Sequence, residues 1–263
     1  MICVRLLCPS LNFQKIFLSA VRALPDIKCK GCFHRDPWRV KLVNNKAAVV
    51  CAGFIGLLAA TLVGIGEFLL HFDELARYGE GFEFFKGVST EQATTGHFFG
   101  VLGAPLYVVG CWHLYHMLLP GNRTAALLAF WVMSYGFIIG VVWIGSRATA
   151  SLIVNTIGAD TAGTELALYD LRYETLLTVI RVTALVFSII FIWLTLTGRT
   201  RYPKWVAVLN PIVLILLSFL VYAIAPGIGK YMMPIALNIA FFIIFLFSTY
   251  FALRTTDFNE TKS

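Results

Sequence analysis

Long runs of apolar residues, rather than alternation or short amphipathic stretches, dominate the chain. The first run covers residues 47–70. As a helix it would be about 36 Å long, which is enough to cross a hydrocarbon core of about 30 Å. Comparable runs follow at 96–119, 125–146, 175–197, 204–225 and 231–253. The pattern predicts an all-α, polytopic integral membrane protein with six transmembrane helices.

Composition supports this class of protein. Of the 263 residues, 59% are hydrophobic and only 13% are charged, whereas a soluble domain carries roughly a quarter charged residues. A soluble enzyme is therefore excluded, and membrane lipid is the expected partner.

Lysine and arginine predict the orientation. With residues 1–46 in the cytoplasm, the segments on that side hold fifteen basic residues and the outside segments hold five. This asymmetry follows the positive-inside rule and predicts that both termini are cytoplasmic. It also accounts for the net charge of +7 without a nucleic-acid partner, since basic residues at the membrane surface attract anionic lipid.

Three regions follow from this topology: a basic cytoplasmic segment at 1–46, a transmembrane domain at 47–253 and a cytoplasmic tail at 254–263. The sequence leaves open whether the first segment lies on the membrane as an amphipathic helix, is disordered, or reflects a mis-assigned start codon.

Polar residues in the apolar runs converge on one level, in the outer half of the predicted bundle. The first run ends in GIGEFLLHF, where Glu67 and His71 are one helical turn apart. Stripes of glycine lead into these residues and predict close helix packing, which would turn them toward protein rather than lipid. The predicted ligand-binding or ion-pair cluster comprises Glu67, His71, His97, Arg147, Asp170, Glu174 and Arg181.

Arg181 would lie about 9 Å inside its span and therefore requires a carboxylate or water. We expect it to pair with Glu67, with His71 and His97 on either side. Two further histidines, His113 and His116, lie near the cytoplasmic end, where we expect them to reach water.

Metal and haem sites are alternatives at the outer level. Glu67, His71, His97 and Asp170 could supply the ligands of a zinc ion, and His71 with His97 could supply the axial ligands of a haem. Spans five and six contain no histidine, which weakens the case for an intramembrane zinc hydrolase. No resident cofactor is predicted.

Three classes of function remain open. The leading interpretation is a protein that binds a lipid-like or small polar ligand in the outer polar chamber. The alternatives are an integral-membrane enzyme that uses Glu67 and His71 as acid, base or metal ligands, and a structural or assembly subunit held by a buried ion pair.

Two motifs carry a resemblance to a known family. GIGEFLLHF closes the first span, and GVLGAPLYVVGCWHLY, residues 100–115, fills the second. Together they resemble a family of bacterial multi-pass membrane proteins that has no assigned function. The resemblance covers residues 47 to about 253; it implies a location in the bacterial inner membrane and no activity.

Overall fold

The computed structural model describes residues 46–76, 82–158 and 163–255. These ranges contain seven α-helices and no β-strand. The helices are α1 (Lys46–His71), α2 (Thr90–Leu118), α3 (Arg123–Ile157), α4 (Gly163–Leu196), α5 (Pro211–Ile224), α6 (Pro226–Met232) and α7 (Ala236–Arg254). Short 3-10 turns occupy Glu83–Gly87, Lys204–Val208 and Met233–Ile235.

In the described residues, five helical stretches are long and apolar enough to cross a membrane. They are α1, α2, α3, the Leu166–Leu196 part of α4, and the Pro226–Arg254 stretch that ends in α7. The predicted span at 204–225 is different, because it consists of a 3-10 turn followed by the 14-residue α5. At about 21 Å, α5 is shorter than a hydrocarbon core.

Helices α3 and α4 extend well beyond the predicted membrane segments. They have 35 and 34 residues, or about 50 Å each. Most of the segment 147–174, predicted as an outside connection, is therefore helix. Gly158 ends α3 with a φ of 87°, a conformation that glycine adopts without the strain that a side chain brings.

Side-chain caps define several helix starts. Ser89 and Gln92 form a reciprocal capping box at the start of α2. Asn122 accepts from the backbone N–H of Ala125 at the start of α3. Asn210 caps α5, where Pro211 occupies the first helical position and requires no N–H partner.

The two ends of the described bundle lie together. The Lys46 Nζ donates to the Leu253 carbonyl over 2.8 Å, so the start of α1 and the end of α7 share one end of the bundle. We call this the proximal end, and the opposite end, which carries His71 and the start of α2, the distal end. Nearly all of the predicted segments 1–46 and 254–263 lies outside the described residues.

The glycines of α1 allow close packing on two sides. A Cβ atom at Gly66 would lie 2.6 Å from the backbone of Gly96 and Gly100 on α2. A Cβ atom at Gly56 would lie 2.7 Å from the Phe245 ring on α7. Small residues thus let α1 approach α2 and α7 at once, and this contact fixes the rotation of α1 about its axis.

Candidate functional site

The distal half of α1 presents a buried carboxylate to its neighbours. Glu67 is 8% exposed, and its Oε2 accepts a hydrogen bond of 2.5 Å from the Asn238 Nδ2 on α7. The Asn238 Oδ1 in turn accepts from the Tyr107 hydroxyl on α2 over 2.7 Å. Because Tyr107 occupies the amide oxygen, the amide N–H₂ group is turned toward Glu67.

Arg147 on α3 is the most unusual residue of the distal half. Its side chain is fully buried, and its guanidinium lies 4.3 Å from the centre of the Trp143 ring, one turn earlier on the same helix. None of its three nitrogens has a hydrogen-bond partner within the described ranges. A guanidinium has five N–H donors, and leaving them unpaired away from water is costly.

The charge of Arg147 links it to the carboxylate. Arg147 attracts Glu67 electrostatically and disfavours a second positive charge on His71. It also acts on Tyr169 and Tyr173 of α4. We call the region around Glu67, His71, Arg147, Trp143 and Asn238 the distal chamber.

Aromatic rings pack around the distal chamber. Phe84 packs on His71, with ring centres 4.4 Å apart. Phe82 contacts Tyr169 and Tyr173 at 4.9 and 5.5 Å, and Tyr173 contacts Trp143 at 5.3 Å. We call Phe82, Phe84, Trp143, Tyr169 and Tyr173 the aromatic cover, of which Trp143 packs directly on the Arg147 guanidinium.

An amide on α3 holds the segment that follows Phe82 and Phe84. The Asn155 Nδ2 donates to the carbonyls of Phe85 and Val88 over 3.3 and 2.9 Å. Asn155 lies in the part of α3 beyond residue 146, where sequence patterns predicted an outside segment. The phenylalanines at 82, 84 and 85 were a signal for the cover, but the extended α3 supplies the hydrogen bonds that hold this segment.

The other predicted cluster residues lie elsewhere. Arg181 and Glu174 pair with each other on α4 at 3.4 Å and are 64% and 50% exposed. Arg181 therefore pairs with Glu174 rather than with Glu67, because this face of α4 is turned away from the bundle. Asp170 is exposed on the same helix.

His97 and His71 make different contacts. His97 faces α3, where its ring lies 3.5 Å from the position of a Cβ atom built on Gly145, and its Nδ1 is buried without a hydrogen bond to the described residues. His71 packs on Phe84 instead, and a haem held by the two rings stays a prediction. The described part of the chain contains no group of three or more His, Cys, Asp or Glu side chains placed to hold a metal ion.

An apolar groove reaches the distal chamber from the side. It has a volume of about 360 Å³ and lies between the distal halves of α1 and α7. Its walls include Gly64, Phe68 and Ile239, with Ile65 and Phe242 at the exposed surface. Asn238, the residue that donates to Glu67, lines the same groove.

A second polar network lies near the proximal end. The His113 Nδ1 is 2.7 Å from the Val49 carbonyl, so it must carry the proton and donate. In neutral His113 the Nε2 then accepts from Ser248 over 2.6 Å, and Ser248 accepts from the Tyr202 hydroxyl over 2.6 Å. We call these three side chains the proximal network.

The proximal histidines do not reach water. His113 and His116 are both buried, contrary to our expectation, because α1, α7 and the connection after α4 pack around them. Arg201 in that connection donates to the His116 carbonyl. Burial raises the pKa of the Tyr202 phenol well above its ordinary value, so this hydroxyl stays a donor to Ser248.

Comparison with known proteins places the chain in a family. Its residues 44–254 match a family of unknown function, DUF6796. The chain belongs to this family, which confirms the resemblance to an uncharacterised family over nearly the predicted range. No curated protein and no solved structure matches the chain.

Proposed function

We propose that this protein is a multi-pass membrane protein that binds a lipid-like ligand in its distal half. The observation that carries the proposal is the groove between α1 and α7. Its apolar walls suit a hydrocarbon chain, and Asn238 connects it to the buried Glu67. Ligand sites commonly combine apolar walls with a few placed polar groups.

The proposal includes the orientation read from the sequence. Residues 1–46 and the tail lie in the cytoplasm, and the distal chamber lies in the outer half of the bilayer. The contact between Lys46 and Leu253, which brings both ends of the described bundle together, supports this arrangement. A bacterial inner membrane is the proposed location.

Filling the groove tests the proposal. In Gly64→Leu, the added side chain would begin 3.4 Å from Asn238 and fill the groove. The matched control is Gly140→Leu on α3, where an added Cβ atom meets nothing within 4 Å. Both variants and the unchanged protein are purified in nanodiscs of natural lipid extract and studied by native mass spectrometry.

We expect about one retained lipid-like molecule per chain in the unchanged protein and in Gly140→Leu, and none in Gly64→Leu. Equal melting temperatures would show that the loss is not caused by unfolding. Equal retention by Gly64→Leu and Gly140→Leu would contradict the proposal.

An intramembrane enzyme is the second candidate. The observation that favours it is the placement of Glu67 and His71 one turn apart under the charge of Arg147, an arrangement that suits acid–base chemistry. In an enzyme, Glu67→Gln would retain the bound lipid and stop its conversion. A binding protein would release the same unmodified lipid with either residue.

A further inference from the structure

The distal chamber holds one buried positive charge whose donors are unused. Arg147 has its guanidinium on the Trp143 ring, and its Nε, Nη1 and Nη2 have no acceptor among the described residues. A planar guanidinium matches the oxygens of a carboxylate, phosphate or sulfonate in geometry as well as charge. An unpaired buried arginine of this kind therefore defines the chemistry of a ligand.

A second charge constrains what can bind. Glu67 is buried near Arg147 and attracts it electrostatically. With Glu67 ionised, the two charges balance. An anion placed on Arg147 would leave two negative charges beside one positive charge in a medium of low dielectric, which is strongly unfavourable.

Protonation of Glu67 removes this conflict. Among the described residues, the titratable groups that act electrostatically on Arg147 or Glu67 include His71 from α1, Tyr107 from α2, and Tyr169 and Tyr173 from α4, and α7 contributes the neutral Asn238. Protonating His71 instead would place a second cation beside Arg147. Four charged groups would then lie together: Arg147, His71, ionised Glu67 and the bound anion. With Glu67 protonated and neutral, the only charges of this group are those of Arg147 and the anion.

We infer that Arg147 binds the anionic headgroup of the ligand and that Glu67 takes up one proton as the headgroup binds. This inference rests on the proposed function for the ligand's chain, which lies in the groove. Asn238 links the groove to the distal chamber, since it lines the groove and donates to Glu67. The proton travels from solution to the Glu67 carboxylate, and no other bond forms or breaks.

Three probes separate the parts of the inference. Decanesulfonate has a chain and a charge that does not titrate, so any proton taken up belongs to the protein. Decanol has the chain alone, and methanesulfonate has the headgroup alone. Native mass spectrometry counts bound probe, and a pH electrode in weakly buffered nanodisc suspension counts protons, with empty nanodiscs subtracted.

At a pH where Glu67 is ionised in the free protein, the unchanged protein should bind decanesulfonate more tightly than decanol and take up about one proton per sulfonate. Because the anion selects the protonated form of Glu67, binding should weaken by about tenfold per pH unit as pH rises through the range where Glu67 ionises. In Glu67→Gln, sulfonate binding should persist without proton uptake and without this pH dependence.

Arg147→Gln should lose the preference for decanesulfonate over decanol by about tenfold or more, the loss expected for a charge-assisted hydrogen bond. Unchanged decanol binding in this variant shows that it is folded. Arg181→Gln, which changes an exposed arginine on α4, should keep the preference.

Each contrary outcome has a distinct meaning. Equal binding of decanol and decanesulfonate to the unchanged protein overturns the inference and leaves the proposed function intact. Proton uptake that persists in Glu67→Gln overturns the role of Glu67. If methanesulfonate binds as tightly as decanesulfonate, the groove does not bind the ligand's chain. That result overturns the proposed function but not the anion site at Arg147. Binding of none of the three probes overturns both.

Discussion

Two buried polar clusters lie at opposite ends of the same bundle, and they differ in how their hydrogen bonds are satisfied. In the proximal network, His113, Ser248 and Tyr202 form one chain of donors and acceptors that ends on the Val49 carbonyl. In the distal half, by contrast, Arg147 and the Trp143 Nε1 are buried without hydrogen bonds to the described residues.

This difference indicates a structural role for the proximal network and a functional role for the distal chamber. Buried polar groups in native proteins are nearly always paired, so a satisfied network needs no role beyond holding helices together. An unsatisfied charge in an apolar bundle lowers stability and requires another reason for its presence. The proximal network also has an unpaired neighbour, Thr249, but a neutral hydroxyl costs far less to bury than a guanidinium.

The largest expected effect distinguishes two histidines. His113→Ala removes both ring contacts, leaves Ser248 without its acceptor and creates a cavity, so we expect a loss of about 2–4 kcal/mol in unfolding free energy. His97→Ala is the matched control, because its buried Nδ1 has no partner in the described structure. We expect the control to lose much less stability. Thermal unfolding of both variants in the same detergent provides the measurement.

A similar loss in the two histidine variants would mean that pairing does not distinguish the two ends of the bundle. The proximal network would then have no special structural role.

A smaller effect of opposite sign is expected at Arg147. Arg147→Met replaces an unsatisfied buried charge with an apolar side chain of similar length, and such replacements are often neutral or stabilising by about 1–4 kcal/mol. We expect a higher melting temperature, accompanied by loss of the anionic ligand. Arg181→Met should change the melting temperature little, since its pair with Glu174 is exposed. A marked destabilisation by Arg147→Met would make Arg147 a structural residue.

The smallest effects come from one substitution made at both ends. Tyr202→Phe and Tyr107→Phe each remove a hydroxyl that makes a single hydrogen bond, with Ser248 and Asn238 respectively. Each should cost about 1 kcal/mol. Only Tyr107→Phe should also weaken ligand binding, because it frees the Asn238 amide that faces Glu67. Equal ligand retention in both variants would remove Tyr107 from the site.

The sequence predicted the position of the distal chamber along the bundle better than it predicted which residues form the chamber. Glu67, His71 and Arg147 were predicted at one level, and the structure brings them together. Asp170, Glu174 and Arg181 were predicted in the same cluster; they lie on one face of α4, where Glu174 pairs with Arg181. That face, however, is turned outward. Helical periodicity determines which residues share a face, but not whether the face turns toward the bundle.

The connections were harder to predict than the spans. Hydropathy indicates where a helix enters the apolar layer. It does not indicate how far the helix continues beyond that layer. The extension of α3 past residue 146 was therefore missed, and with it the hydrogen bonds from Asn155 to the carbonyls of Phe85 and Val88. Within the span predicted at 204–225, the α-helix is shorter than expected, because Asn210 and Pro211 begin a new helix inside it.

The sequence by itself determined the class of this protein: a helical chain with apolar runs of membrane-spanning length, a family without assigned function, and polar groups gathered toward one level. These features depend on composition and local spacing, which the sequence states directly. Only the tertiary structure decided that Arg147 is sealed and unpaired, that Arg181 faces outward, and that His113 closes a satisfied network. Those outcomes depend on how each helix is rotated against its neighbours, and that rotation is set by close contacts such as Gly66 against Gly96 and Gly100.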